Sequence, residues 1–163
     1  MTALDSATVV VRRAERRDLP QIVAIERLSF SDPWTEQSFV EALALDRMRM
    51  LVAEEAGEPS RGGAPELVGY VLALVVGDEA ELADLAVAPR ARRRGIGQML
   101  LDRIVAELRG DGVRSLYLEV RESNVAARTL YLAHSFVAVG RRRGYYRHPA
   151  EDALLLKREI APT

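Results

Sequence analysis

The chain has 163 residues, of which 48% are hydrophobic and 29% charged, with a formal net charge of −1; this predicts one folded domain, residues 1–163. No cysteine and only two histidines exclude disulfides and a cysteine nucleophile and argue against a metal site. The near-neutral charge argues against a general nucleic-acid binder, and the absence of a signal pattern or a membrane-length apolar run predicts a cytoplasmic protein.

The predicted elements alternate between short β-branched segments and amphipathic stretches. In chain order they are a strand at 8–12, helices at 18–29 and 35–45, strands at 47–55, 66–76 and 79–87, a helix at 95–109, a strand at 115–121, a helix at 123–134, and strands at 136–140 and 153–160. The polar runs 56–65 and 141–152 are expected to be loops, the first of them closing a hairpin. The order β-α-α-β-β-β-α-β-α-β-β predicts a mixed α/β fold.

An arginine–glycine stretch lies between strand 79–87 and helix 95–109, where Arg92, Arg93 and Arg94 precede Gly95 and Gly97. The first turn of a helix has unpaired backbone N–H groups, and these groups together with the helix dipole favour an anion. The glycines allow close approach and the arginines add positive charge, which suits a pyrophosphate. A solvated turn and a nucleic-acid patch stay open as alternatives from this stretch alone.

The strand S-L-Y-L-E-V-R at 115–121 carries a charged residue in its interior. Period-two alternation places Leu116, Leu118 and Val120 on one face, and Tyr117 and Glu119 on the other. A glutamate partly withdrawn from water at position 119 is a candidate general base near neutral pH. The alternative is a glutamate that faces solvent or pairs with an arginine.

Two polar residues follow on the next predicted helix. Asn124 lies at its start, where the simplest role is an N-cap. Tyr131 lies seven residues later on a similar face, where the simplest role is a core aromatic with a satisfied hydroxyl.

Several motifs together resemble the GNAT family of N-acetyltransferases. R-R-R-G-I-G at 92–97 matches the family signature R/Q-x-x-G-x-G/A, with Arg92 at the R/Q position, and D-L-A-V-A-P at 84–89 is similar to the strand before it. L-Y-L-E-V-R-E-S-N-V-A-A-R-T-L-Y, with D-P-W near the start and R-R-R-G-Y-Y late in the chain, resembles more closely the bacterial ribosomal-protein-alanine N-acetyltransferases of the RimI type. The resemblance covers residues 8–160 and implies the acyl-CoA N-acyltransferase fold, with a twisted sheet splayed between strands 4 and 5.

The resemblance implies that acetyl-CoA, the co-substrate, binds between strands 79–87 and 115–121. Its pantetheine arm would pair with the backbone of Leu85, Ala86 and Val87 and contact Asn124. Its pyrophosphate would be held by the backbone amides of Arg93, Arg94, Gly95, Ile96, Gly97 and Gln98.

For the chemistry, the resemblance implies that Glu119 accepts a proton from the acceptor amine, directly or through water. Tyr131 would donate a proton to the departing thiolate. Trp34, in the 29–36 turn, and Tyr145 and Tyr146, in the 141–149 loop, would flank the acceptor groove.

The implied acceptor is the α-amine of an alanine-first protein of the small ribosomal subunit. Glu79, Glu81 and Asp84 could favour a basic peptide, although solvated charges at a strand edge explain them equally well. We expect a monomer that binds neither nucleic acid nor membrane. Three other functions stay open: acetylation of lysine, a polyamine or an antibiotic amine; an arginine-rich RNA-binding module; and a CoA sensor that has lost catalysis.

One position departs from the family pattern. Ser135 stands where the pattern has a glycine after the helix that contains Tyr131. A glycine there would allow a left-handed helix exit, which serine adopts at some cost. The end of the helix at 123–134 is therefore left open.

Overall fold

A computed structural model describes residues 8–57 and 62–163. Residues 1–7, where a signal pattern was sought, and residues 58–61 of the expected 56–65 loop lie outside these ranges. The helices are α1 (Leu19–Ser29), α2 (Glu36–Leu43), α3 (Ile96–Gly110) and α4 (Val125–Ala133). The strands are β1 (Val9–Arg13), β2 (Met48–Glu55), β3 (Glu66–Val76), β4 (Glu79–Val87), β5 (Ser115–Arg121), β6 (Val137–Arg147) and β7 (Ala150–Glu159).

Within the described ranges the strands form one mixed sheet in the order β1-β2-β3-β4-β5-β7-β6. Every neighbouring pair is antiparallel except β4 and β5, which are parallel. These two strands pair only where Glu79–Glu81 face Ser115–Tyr117 and then separate. The mixed α/β fold and the splay between the fourth and fifth strands are confirmed.

The loop predicted at 141–152 is wrong. β6 continues to Arg147 and β7 begins at Ala150, so this stretch is a tight β-hairpin. Residues 141–147 show no apolar alternation because nearly every residue of β6 is exposed, and a strand without a buried face needs none. Antiparallel pairing with β7 forms the ladder, with irregularities next to Gly140 and between Arg142 and Tyr146.

Two helices cover opposite faces of the sheet. Gly69 and Tyr70 are adjacent on β3 and therefore point to opposite sides. A Cβ built on Gly69 would lie 3.0 Å from a methyl group of Leu100 on α3, whereas the Tyr70 hydroxyl bonds to Glu26 on α1. The predicted apolar stripe of α3 is buried throughout, and this burial fixes the start of α3 beside the end of β4.

A β-bulge interrupts β4 opposite the middle of β3. Leu72 and Ala73 are adjacent on β3, but their partners on β4 are Asp84 and Leu82, so Ala83 is an extra residue. Such an insertion changes which side chains of the strand share a face.

The bulge brings acidic side chains to one face of the sheet. Glu81 and Asp84 pair with β3 residues two apart, so both point to the face that carries Tyr70. Glu81 also pairs with Tyr117, and this places Glu119 of β5 on the same face. The acidic groups of β4 and β5 therefore face α1.

Ser135 adopts the left-handed conformation, with a φ of 70°, directly after α4. A residue with a Cβ pays about 1 kcal/mol for this conformation relative to glycine. We therefore expect Ser135→Gly to raise the free energy of unfolding by about 1 kcal/mol, measured by denaturant titration. As a control, Ser115→Gly in β5 should lower the free energy of unfolding. Where φ is not positive, glycine relieves no strain and only loses more backbone freedom on folding. Equal or lower stability of Ser135→Gly would contradict a strained helix exit.

Candidate functional site

A cavity of about 250 Å³ opens where β4 and β5 separate. One wall is formed by residues 82–85 of β4 and the opposite wall by residues 119–121 of β5. α1 with the turn after it, α4 and one residue of β6 complete the cavity. The splay of the sheet thus creates a compartment that both strands border with polar side chains.

Glu119 borders this cavity, and its side chain is 13% exposed. Its Oε1 lies 3.1 Å from Nε of Arg142 on β6. A second carboxylate, Glu81, faces it from β4, and burial together with the negative charge of Glu119 raises the pKa of Glu81. The arginine pairing considered as an alternative for Glu119 is present, and it leaves the carboxylate at the cavity wall.

Tyr131 of α4 also borders the cavity and is 6% exposed. Its ring packs edge-to-face against Phe136, with 5.4 Å between the centroids. Burial, followed by the negative charge of Asp84, raises the pKa of the Tyr131 hydroxyl above its ordinary value. The phenol therefore keeps its proton across the neutral and mildly alkaline range.

Asn124 has a structural role and also borders the cavity. Its Oδ1 accepts a hydrogen bond of 3.1 Å from the backbone N–H of Ala127, which caps α4. The cap holds the start of α4 beside the opening between the strands.

The arginines before α3 make contacts within the protein. Nη2 of Arg94 lies 2.6 Å from Oε1 of Glu55, and Nε of Arg92 donates a hydrogen bond of 3.1 Å to the carbonyl of Val87. In the part of the chain that the structure describes, Arg93 is exposed and forms no ion pair. The positive charge predicted for this turn is therefore partly neutralised.

The backbone of the same turn is well shaped for an anion. Arg93 and Gly95 both have left-handed φ values, 64° and 79°. Gly95 is the N-cap of α3 and provides no side-chain cap for the amides of the first turn. Such successive N–H groups form concave anion sites, so the turn can hold a phosphate through its backbone.

The other predicted cofactor residues lie along the same edge of the opening. Leu85 borders the cavity, whereas Ala86 and Val87 continue β4 beyond its last partner in β5. The side chain of Ile96 is buried in the core and that of Gln98 is exposed, so a contact with a phosphate would come from their amides.

The aromatic residues expected at an acceptor groove are placed unequally. Trp34 and Tyr146 border the cavity, but Tyr145 does not and is 49% exposed. The guanidinium of Arg121 lies 4.2 Å from the centroid of the Tyr146 ring and holds it at the cavity mouth.

Sequence reasoning missed a buried acidic pair in the cavity wall. Glu26 is 1% exposed and Asp84 is 8% exposed. The interpretation of Asp84 as a solvated strand-edge charge is therefore wrong, because the bulge in β4 turns it inward. One signal was available: Glu26 follows Ile22 and Val23 at the helical spacing of buried positions.

Among residues 8–57 and 62–163, no group of three or more histidine, aspartate or glutamate residues is arranged to hold a metal ion. No helix in these ranges is long and apolar enough to cross a membrane.

A splayed mixed sheet and an uncapped helix start beside the opening are the features that the resemblance to the acyl-CoA N-acyltransferases implies. The family model described as the acetyltransferase (GNAT) family matches residues 19–136. The chain is 32% identical to the ribosomal protein bS18-alanine N-acetyltransferase of Escherichia coli, covering 90% of this chain and 95% of that protein. It is 34% identical to the N-alpha-acetyltransferase RimI of Mycobacterium tuberculosis, covering 98% and 97%.

Solved structures agree with this match. The ribosomal-protein-S18-alanine N-acetyltransferase from E. coli superposes with a TM-score of 0.84 over 95% of this chain and 96% of that one. Arabidopsis thaliana NAA60 in complex with acetyl-CoA, 24% identical, shares the fold with a TM-score of 0.83 over 94% and 99%. The chain belongs to the acetyltransferase (GNAT) family and is an N-acetyltransferase.

Proposed function

We propose that this enzyme transfers the acetyl group of acetyl-CoA to the α-amine of an alanine-first protein of the small ribosomal subunit. The observation that carries the proposal is the 32% identity to the E. coli bS18-alanine N-acetyltransferase over nearly the full length of both chains. Residues 1–163 would act as one domain and as a monomer. Because ribosomal proteins are made in the cytoplasm, the proposal implies a cytoplasmic enzyme.

The site fits acetyl-CoA, which supplies an activated acetyl thioester when bound. The uncapped amides of residues 93–98 suit its pyrophosphate. The backbone of residues 85–87, beyond the β5 pairing, suits the amide groups of its pantetheine arm, and Asn124 lies across the opening. We assign the cofactor to this path between β4 and β5.

Gly97 tests the phosphate end of this path. Its Cβ would lie 3.4 Å from Leu130 and 3.8 Å from Val87, both ordinary contacts, so the protein's own packing does not require glycine there. We expect Gly97→Ala to weaken coenzyme A binding about 10-fold in calorimetry, because the methyl group would displace a charged hydrogen-bonded phosphate. Gly110→Ala, at the other end of α3 with open space around it, is the matched control and should bind normally. Unchanged affinity in Gly97→Ala would place the phosphates elsewhere.

Within the cavity, Glu119 would take a proton from the acceptor amine and Tyr131 would protonate the leaving sulfur. An α-amine has a pKa of about 8 against about 10.4 for lysine, which makes its deprotonation easier by about 3.3 kcal/mol. One carboxylate base is therefore sufficient for a protein N-terminus. Direct attack needs no acyl-enzyme, in keeping with a chain that has no cysteine.

Two surface turns support a peptide acceptor at the cavity mouth. The hydroxyl of Ser31, after α1, donates a hydrogen bond of 2.7 Å to the carbonyl of His148, in the turn between β6 and β7. Trp34, in the turn after α1, and Tyr146, near the end of β6, both border the cavity. A chain terminus entering between them would meet Glu119 at the end of its path.

Mass spectrometry tests the acceptor. The enzyme is incubated with acetyl-CoA and either Ala-first peptides, the same peptides with a formylated N-terminus, free lysine or polyamines. We expect acetylation at the α-amine of the Ala-first peptides and none when that amine is formylated. Preferential acetylation of lysine or polyamines would reject the proposed acceptor.

A further inference from the structure

Arg121, the last residue of β5, borders the cavity but has no role in the transfer described above. Period-two alternation puts its side chain on the same face of the strand as Glu119, and this side chain is only 19% exposed. Withdrawing a guanidinium from water costs free energy unless its donors are bonded. The partners of Arg121 therefore show which parts of the molecule it connects.

The guanidinium of Arg121 binds the turn between β6 and β7. Its Nη2 donates a hydrogen bond of 3.2 Å to the carbonyl of His148, and its Nη1 donates one of 2.9 Å to the carbonyl of Pro149. The hydroxyl of Ser31 donates to the same His148 carbonyl. Because one carbonyl oxygen can accept two hydrogen bonds, Arg121 and Ser31 together fasten this turn to β5 and to the segment after α1.

The same guanidinium also contacts an aromatic ring and a carboxylate. Its Cζ lies 4.2 Å from the centroid of the Tyr146 ring, at the cavity. Its Nη1 lies 3.2 Å from Oε1 of Glu151, and Oε2 of Glu151 accepts a hydrogen bond of 2.6 Å from the backbone N–H of Ser123, just before α4. The positive charge of Arg121 is therefore balanced locally, and one side chain joins β5, the β6–β7 hairpin and the start of α4.

We propose that Arg121 is a positioning residue for the acceptor, because it fixes Tyr146 and the β6–β7 turn as one wall of the acceptor groove. The segment after α1, with Trp34, forms the facing wall. Arg121 acts through Tyr146 and the turn, so it contributes to the binding of the acceptor and not to the bonds made and broken in the transfer. The inference rests on the proposed groove at this cavity mouth, but not on which amine is acetylated.

Steady-state kinetics tests this role, with saturating acetyl-CoA and the acceptor that the wild-type enzyme acetylates best. Arg121→Met keeps an unbranched side chain but removes the charge and every donor. We expect it to raise the KM of the acceptor about 10-fold, because the ring and the turn lose their common anchor, while kcat and the affinity for coenzyme A stay near the wild-type values. If the best acceptor is not an Ala-first peptide, the proposed acceptor fails, while this comparison proceeds with the amine that is acetylated.

Arg141→Met is the matched control. Arg141 lies on the same hairpin and pairs with Glu122 and Asp152, but it does not border the cavity. Its loss should leave the KM of the acceptor near the wild-type value. An equal rise of KM in Arg141→Met, an unchanged KM in Arg121→Met, or a loss of kcat as large as the change in KM would overturn the positioning role.

Two further variants separate positioning from general support of the fold. Arg121→Lys keeps the charge but not the planar fork of donors, so its KM should lie between those of the wild type and Arg121→Met. Tyr146→Leu removes the ring and should also raise KM, and its combination with Arg121→Met should raise KM by less than the product of the two single effects, since both remove the same wall. Fully multiplicative effects would overturn the action through Tyr146. If Arg121→Met fails to fold, a wild-type KM in both Arg121→Lys and Tyr146→Leu would overturn the role in the same way.

Discussion

Glu119→Gln is expected to lower kcat by about 10²-fold or more while coenzyme A binds with unchanged affinity. The amide keeps the shape of the side chain at the cavity wall but cannot accept a proton at neutral pH. Steady-state kinetics at saturating acetyl-CoA and acceptor, with calorimetry of CoA binding, separates the loss of a base from a loss of binding.

Two comparisons sharpen this result. Glu122→Gln removes a glutamate just past the end of β5 that pairs with Arg141 outside the cavity, and it should leave kcat near the wild-type value. Glu81→Gln removes the carboxylate that faces Glu119 and should have a smaller effect than Glu119→Gln. A near-normal kcat for Glu119→Gln with a large loss for Glu81→Gln would move the role of base to β4.

Tyr131→Phe is expected to lower kcat by a similar factor, about 10²-fold or more, without unfolding the protein. Phenylalanine keeps the edge-to-face contact with Phe136 and removes only the hydroxyl. Because burial raises the pKa of Tyr131, the acid stays protonated in the wild type, and its ionisation should cause no loss of kcat below about pH 10.

Tyr117→Phe is the matched control for this prediction. Tyr117 shares the face of β5 with Glu119 but does not border the cavity. Its hydroxyl should therefore be dispensable for kcat. Full activity of Tyr131→Phe, or an equal loss in Tyr117→Phe, would remove the role of acid from Tyr131.

Local patterns in the sequence predicted much of the fold. The helical spacing from Ile96 to Leu108 reports a helix face buried against the sheet, and the alternation from Leu116 to Val120 reports a strand face buried in the core, so both patterns survive in the structure. The helix end that the serine at position 135 left open is decided by the structure, in which Ser135 adopts a left-handed φ. The strand predicted at 136–140 is the first part of β6, and its continuation to Arg147 was missed because an exposed strand has no buried face to mark it.

The site was predictable in part for the same reason. Glu119, Asn124 and Tyr131 could be selected as candidates because each is a polar residue at a marked position of a strand or helix. That these residues border one cavity depends on the splay between β4 and β5, which no local pattern encodes. The arginines were the least informative part of the prediction, since two of them make bonds within the protein.

By itself, the sequence determined the order of the elements, the glycine-marked start of α3 and the residue types available for acetyl transfer, because these depend on neighbours a few positions apart. Only the tertiary structure decided that Arg142 pairs with Glu119, and that the bulge at Ala83 turns Asp84 toward Glu26. These contacts join residues that lie tens of positions apart in the chain. The protonation of the carboxyl groups in them depends on how deeply the folded protein buries them. Burial exists only once the sheet and the helices have packed together.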